Sequence, residues 1–591
     1  MKIFNVRRKL MTVLSVAAFL LTAVPFVPNV EGQKREGMMT AGIRTTPPAP
    51  VFDDTARRAE LAERRARVAK EIGANGMLVM FSAEPRIYTN DVDYEYRQEN
   101  NFYYLTHLKQ KGATLVIIPG NAAPREILFI PKRNPALETW NGYMYSAEDA
   151  RRLSGISEIW EDKEFEPFMQ AVRARQPYRP KEGGVLMSSS LSSNATATVA
   201  SSNEFEPLFG AIGRNEASIF LLVPTQEAEK GEFGVHREWG QEQRYATDWK
   251  KTANGLKIRS AFPILANLRL RKTPSEIQRL QHAIDITTEA FGRAMATAGR
   301  AKMEYEVEAE VEYIFKRRNA DYWGYPSIVG CGPNATTLHY QDSQASVTPG
   351  SLLLMDVGAE YDHYTADITR TFPVNGKFTP AQADIYNIVL AAQEAGFNAS
   401  RPGSTRGAVH DAAAEVIKDG LLRLGLITDK KSDQYRIWFM HGTTHWLGMN
   451  VHDVGGGRDQ KLEPGMVYTN EPGIYIRADA LQYLPKTPEM EKFIAAVRPA
   501  FEKYKTIGVR IEDDVLITPD GHRNLSAALP RTIPDIEAFI ARASREIRLT
   551  SLGRSYVESA FSGQRVATPR GFSFIGTADA YARREHAHDG H

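Results

Sequence analysis

Residues 352–374 read LLLMDVGAEYDHYTADITRTFPV, two apolar runs, Leu352–Val357 and Ile368–Val374, each with an acid at its edge. Runs of this length, aliphatic and β-branched, predict strands. Asp356 breaks the first run. A carboxylate buried in such a strand is costly unless it is paired, hydrogen-bonded or on a metal. Asp367 follows 11 residues later, enough to run out along one strand and back along the next. Both carboxylates are then expected on one face of a hairpin.

Three more ionisable residues sit in similar surroundings. His445 lies in HGTTHWLGMNVHDVG, Glu471 follows an apolar strand in MVYTNEPGIYI, and Glu512 interrupts GVRIEDDVLIT. One such residue is weak evidence, because structural ion pairs do the same. Four carboxylates and a histidine together suggest a shared positive centre, and two divalent cations would balance the four negative charges. Oxygen-rich ligation with one imidazole suits Mn²⁺ first, with Zn²⁺ or Co²⁺ also compatible. The competing reading is a set of capping aspartates, surface pairs and a satisfied core histidine.

Further along the chain, Thr273-Pro274-Ser275-Glu276 opens a helix with a capping box, and Ile277, Leu280, Ile284, Phe291 and Met295 keep one of its faces apolar. Helices are also predicted over Met303–Arg318, Pro380–Phe397 and Arg406–Leu424, and strands over Met466–Asn470 and Val509–Ile517. Residues 266–543 therefore read as helices on a largely antiparallel sheet, an α+β domain. Residues 544–591 are a polar, weakly patterned tail whose His586, His588 and His591 are read as a disordered end. Residues 55–265 alternate helical pieces, such as Thr55–Lys70, with buried strands at Met77–Phe81, Ala113–Pro119, Glu126–Pro131 and Ser218–Pro224, an α/β pattern. Ser188–Asn203 reads as an inserted loop.

At 591 residues two or more domains are the default. The net charge of +2 implies neither nucleic acid nor an acidic membrane as partner. The single cysteine, Cys331, excludes an intrachain disulfide or a cysteine zinc site. Arg7, Arg8 and Lys9 precede an apolar run, Leu10–Val24, so residues 1–32 read as a signal peptide, with an uncleaved anchor as the alternative. Arg7-Arg8 also resembles a twin-arginine signal. The expected location is exported, periplasmic or secreted, with no membrane contact once the signal is removed. Residues 33–54 are a Pro/Thr-rich lead-in, expected to be flexible.

Taken in order, Asp356 with Asp367, HGTTHWLG, NEPGIYI and RIEDD resemble the pita-bread metallopeptidases, most closely the Xaa-Pro aminopeptidases (aminopeptidase P). DITRTFPVNGKFTPAQ adds to the likeness over Leu268–Phe539, and YEYRQENNFYYLTHL (Tyr94–Leu108) resembles that family's amino-terminal domain, of the aminopeptidase P/creatinase type. The resemblance implies a pita-bread catalytic domain holding two divalent metal ions on Asp356, Asp367, His445, Glu471 and Glu512. Asp367 and Glu512 match the bridging carboxylates, and Glu471 matches the residue that also transfers the proton. His339 matches a histidine near the scissile bond and His452 one that contacts substrate. His441 and Arg510 match residues lining the pocket for proline. The implied substrates are peptides with proline second, and the implied assembly is a homodimer or homotetramer.

The sequence departs from that pattern in the Ser-rich insertion and in the 41 residues between Glu471 and Glu512, whose excess, about 478–504, is expected as a loop rimming the cleft. An Xaa-Pro dipeptidase would share the fold and ligands, and a metal-free or non-catalytic member would lack several of them. A serine hydrolase is disfavoured because no G-x-S-x-G elbow is present.

Overall fold

The computed structural model describes residues 42–187 and 205–562, apart from 121–123, 177, 179, 182, 235 and 253–254. The expected signal peptide, the expected loop at Ser188–Asn203 and the histidines of the tail lie outside these residues.

The amino-terminal half is built on strands β1 (Gly76–Phe81), β2 (Ile87–Thr89), β3 (Val92–Asp93), β4 (Thr114–Ile118), β5 (Arg125–Ile130), β6 (Glu158–Glu161), β7 (Val185–Met187), β8 (Ala217–Leu221) and β9 (Leu256–Ser260). All but the β2–β3 hairpin join one mixed sheet in the order β7-β6-β5-β4-β1-β8-β9. The central strands β1, β4 and β8 are buried along their whole length, whereas the edge strand β9 alternates buried and exposed residues, and Met77, Val79, Phe129, Trp160 and Phe168 lie in one buried cluster.

The carboxy-terminal half uses β10 (Tyr322–Trp323), β11 (Ile328–Cys331), β12 (Leu352–Val357), β13 (Ala359–Tyr361), β14 (Tyr364–Thr365), β15 (Ile368–Pro373), β16 (Val467–Asn470), β17 (Gly473–Tyr475), β18 (Gly508–Arg510), β19 (Asp513–Thr518) and β20 (Gly521–Asn524). They form small antiparallel sheets, β10-β13-β14, β11-β12-β15, β16-β19-β20 and β17-β18. Helices Pro274–Thr297, Glu304–Arg317, Pro380–Ala399 and Arg406–Leu424 surround them. The capping box at Thr273 and Glu276 forms as expected, and Thr379 with Gln382 makes a second one. The α+β reading of this half holds, as does the hairpin. β12 and β15 pair along their whole length, and both are buried. Gly358 joins β12 to β13, where a Cβ would collide with the Ala366 carbonyl. Among the described residues no helix is long and apolar enough to cross a membrane.

The structure corrects three expectations. The single strand Val509–Ile517 is two strands in different sheets, β18 paired with β17 and β19 paired with β16. The chain changes sheet at Ile511–Glu512, where Glu512 N donates to Thr369 O at 3.0 Å. The segment 478–504 is mostly helix, Pro488–Tyr504, capped by Thr487 and burying Phe493, Val497, Phe501 and Tyr504 along one face. Helix Ile533–Ser562 runs past Ala543, so the polar stretch from residue 544 begins within a helix. The second half of the lead-in is tied down: Thr46 N and Oγ1 donate to Glu289 Oε2 at 2.6 and 2.5 Å, and the Arg279 guanidinium sits 3.8 Å over the Phe52 ring.

Candidate metal centre

Register brings the acids together. Asp356 lies opposite Thr369 and Val357 opposite Ile368, so Asp367, two residues before Thr369, shares its face. The other candidates are tied to each other through the backbone. Thr469 N donates to His445 O at 2.9 Å, and Glu471 N to Thr443 O at 2.8 Å, fixing the histidine segment against the end of β16.

His445 Nε2 lies 3.2 Å from Asp367 Oδ2, 3.4 Å from Glu471 Oε1 and 3.9 Å from Glu512 Oε1. One donor atom from each of Asp367, His445 and Glu512 falls within 4.8 Å of the others, as a shared metal ion requires. Asp356 is joined to this group through Tyr325, whose hydroxyl donates to Asp356 Oδ1 at 2.5 Å and Asp367 Oδ1 at 2.6 Å. Arg510 Nη2 also donates to Asp356. Arg510 Nε donates to Thr369 Oγ1 at 3.0 Å, and that hydroxyl donates to Glu512 Oε2 at 2.6 Å. Arg510 Nη1 and His441 Nε2 both meet Tyr475 OH at 2.9 Å. His452 stacks edge-to-face on His445 with ring centroids 4.4 Å apart. His339 is exposed on the loop after β11, near enough to His452 to act on it electrostatically. The structure therefore brings Asp356, Asp367, His441, His445, His452, Glu471, Arg510 and Glu512 into one network, while His339 is linked to it only through its electrostatic influence on His452.

The electrostatics fit a cation. Burial lifts Glu512 well above the carboxylate range, with Asp367 and Glu471 adding repulsion. Burial also raises Asp367, against its hydrogen bond to His445 and with Asp356 adding to the rise. Glu471 is pushed by burial up to about 7, despite the pull of His445 and Arg510. His445, although burial opposes its charge, is drawn up to about 9 by Asp367 and Glu471. Four carboxylates thus crowd one guanidinium and one imidazole, and bound divalent ions would relieve that repulsion.

Sequence reasoning missed several neighbours. Tyr325 and Tyr475 carry no acidic or metal-binding pattern. In RIEDD only Glu512 was singled out. Asp513 turns away and pairs with Arg370, and Asp514 Oδ2 accepts from Asp367 N at 3.2 Å. Gln393, in the Pro380–Ala399 helix, donates from Nε2 to Asn470 O at 3.2 Å, Ile511 O at 3.1 Å and Asp513 Oδ2 at 2.9 Å. Those two carbonyls belong to the peptide groups that lead into Glu471 and Glu512, so one amide staples both turns that carry these candidate ligands. Gln393→Leu is expected to leave the fold intact and weaken metal binding about 10-fold or more, as loss of an outer-shell contact does. Metal retained against a graded chelator checks this, and retention equal to wild type would count against the staple.

Comparison with known proteins agrees with this geometry. Residues 278–519 match Metallopeptidase family M24, and residues 61–178 match the Aminopeptidase P, N-terminal domain. These matches define the class, a metallopeptidase catalytic half carrying an aminopeptidase P-type amino-terminal half. Over 486 residues the chain is 34% identical to the Xaa-Pro aminopeptidase of Haemophilus influenzae, covering 81% of this chain and 96% of that relative. It is 32% identical over 498 residues to the Xaa-Pro aminopeptidase of Escherichia coli, covering 83% and 99%. Among solved structures, aminopeptidase P from Escherichia coli with the inhibitor Pro-Leu superposes with a TM-score of 0.66 at 30% identity, covering 83% of this chain and 99% of that one. The chain belongs to metallopeptidase family M24, alongside the Xaa-Pro aminopeptidases, and is a metallo-aminopeptidase.

Proposed function

We propose that this enzyme releases the first residue of peptides whose second residue is proline, using a pair of divalent ions held by Asp356, Asp367, His445, Glu471 and Glu512. The observation that carries the reading is the convergence of four carboxylates and a histidine beside His441, His452 and Arg510. The name carried by the relatives supplies the Xaa-Pro bond. Mn²⁺ is the first choice for an oxygen-rich set with one imidazole. When bound, the ions supply Lewis acidity toward water and the scissile carbonyl.

The chain's own groups do the rest. Glu471, accessible at its edge and within reach of His445, accepts the proton of the attacking water and passes it toward the leaving nitrogen. His339 and His452, at the open side, donate to the carbonyl oxygen as negative charge develops there. The leaving nitrogen belongs to proline and carries no hydrogen in the peptide, so recognition rests on ring shape and bond isomer. His441, Tyr475 and Arg510 form a connected wall suited to hold that ring. The basic and apolar leader, residues 1–32, supports an exported enzyme, and assembly as a dimer or tetramer is part of the same proposal.

Assay of the Mn²⁺-loaded enzyme on Ala-Pro-Ala, Ala-Pro and Ala-Ala-Ala tests the reading. Alanine should be released from Ala-Pro-Ala with kcat/KM on the order of 100-fold or more above Ala-Ala-Ala. Cleavage of Ala-Pro alone would replace the aminopeptidase with a dipeptidase. Equal cleavage of both tripeptides would remove the proline requirement. Metal analysis should return two ions per chain.

A further inference from the structure

The two ligand-bearing loops of the catalytic half are both gripped by one segment of the amino-terminal half. Between Asp356 and Asp367 the hairpin extends into β13 and β14, joined by Asp362 and His363. Both adopt left-handed backbone, φ 50° and 68°. A two-residue hairpin turn of this kind favours Asn-Gly or Asp-Gly, and a histidine there carries conformational strain. Side chains at and beside this tip contact residues 97–103 and Arg279.

Glu360, buried on β13, is held by Arg97 in a two-pronged pair, Nε to Oε1 at 2.9 Å and Nη2 to Oε2 at 2.7 Å. Asp362 accepts from Tyr103 OH and from Arg279 Nε. The His363 ring stacks on Tyr103 with centroids 3.9 Å apart, and its Nδ1 lies 3.1 Å from Asn100 Oδ1. The same segment reaches the second loop, between His445 and His452. Arg97 Nη2 and Asn100 Nδ2 each donate to Met449 O at 3.1 Å, and Asn100 Nδ2 also reaches Asn450 Oδ1 at 2.7 Å. The hairpin and this loop meet directly where Thr365 N donates to Gly448 O at 2.9 Å.

We propose that Arg97, Asn100 and Tyr103 are positioning residues for the metal centre, holding the Asp356–Asp367 hairpin and the His445–His452 loop in one register so that the amino-terminal half sets metal affinity. None of the three touches the ligand side chains. They act through the backbone of the loops that carry them, as outer contacts of metal sites do. The proposal rests on the ligand assignment made above.

The test uses the full chain and Mn²⁺ alone, with affinity read by competition against a chelating indicator. Arg97→Gln, Glu360→Gln and the double variant are compared with Tyr103→Phe, which removes a single hydroxyl and so guards against simple misfolding. Each single variant is expected to bind Mn²⁺ about 10-fold more weakly. The double variant should be no weaker than Arg97→Gln, because Arg97 and Glu360 act as a unit. Unchanged Mn²⁺ affinity in Arg97→Gln and Tyr103→Phe, with Asp367→Ala binding none, would overturn the positioning role. Wild-type affinity in Asp367→Ala would instead overturn the ligand assignment, and the proposal with it.

Discussion

Asp367→Ala is expected to remain folded, to lose its bound metal and to lose peptidase activity by about 1000-fold or more. Asp367 presents an oxygen to the same space as His445 and Glu512, and its second oxygen meets Tyr325 beside Asp356. Metal-assisted hydrolysis draws several kcal/mol of transition-state stabilisation from the ions, and about 4 kcal/mol corresponds to about 1000-fold in rate. The metal-free fold should not suffer, because burial and Asp356 already make ionised Asp367 unfavourable. Metal content, circular dichroism and kcat/KM measured together check all three parts. A variant that keeps its metal and most of its activity would refute the assignment.

Arg370→Met is expected to be the most damaging substitution for stability. Arg370 and Asp513 are both fully buried and pair at 2.7 Å. Arg370 also donates to Thr369 O at 2.9 Å, Glu512 O at 2.6 Å and Pro530 O at 3.1 Å. Removing the guanidinium leaves Asp513 with only the Ser526 hydroxyl at 2.6 Å, the Gln393 amide at 2.9 Å and the more distant Arg531 at 3.7 Å. Breaking a buried pair in this way costs about 3–5 kcal/mol. Replacing both partners, Arg370→Met with Asp513→Leu, should recover part of that loss, since no charge is then stranded. Denaturant midpoints of the metal-free proteins decide it. A loss of under about 1 kcal/mol for the single variant would mean that water or neighbouring groups take over the role of Arg370.

Where the sequence was informative, a local pattern and its tertiary setting agreed. The hairpin from Leu352 to Pro373 could be read because apolar strands are interrupted by acids at a spacing that returns them to one face. The helix at Pro274 announced itself through its capping box. The strand break at Ile511–Glu512 could not be seen, because both pieces are buried and the apolar run continues across the change of sheet. Helix Pro488–Tyr504 carried its own signals, a Thr cap, an early proline and apolar residues along one face. The long spacing between Glu471 and Glu512 points instead to a loop, and the helix signals outweigh it. Tyr325 and Gln393 left no mark at all. Their importance comes from partners 31 to 120 residues away in the chain, and nothing in their immediate neighbours distinguishes them from ordinary polar residues.

The proposed ligands come from strand β12 and from loops and strand junctions scattered between Asp356 and Glu512. In an unfolded chain these groups would not form a site, so an ion held there would bind the native state alone. At a free metal level about 100-fold above its Kd, that selectivity adds about 2.7 kcal/mol to the cost of unfolding. Metal supply then governs the lifetime of the molecule as well as its turnover. A chain that never meets its ion opens more often and is removed by proteases sooner than its loaded counterpart.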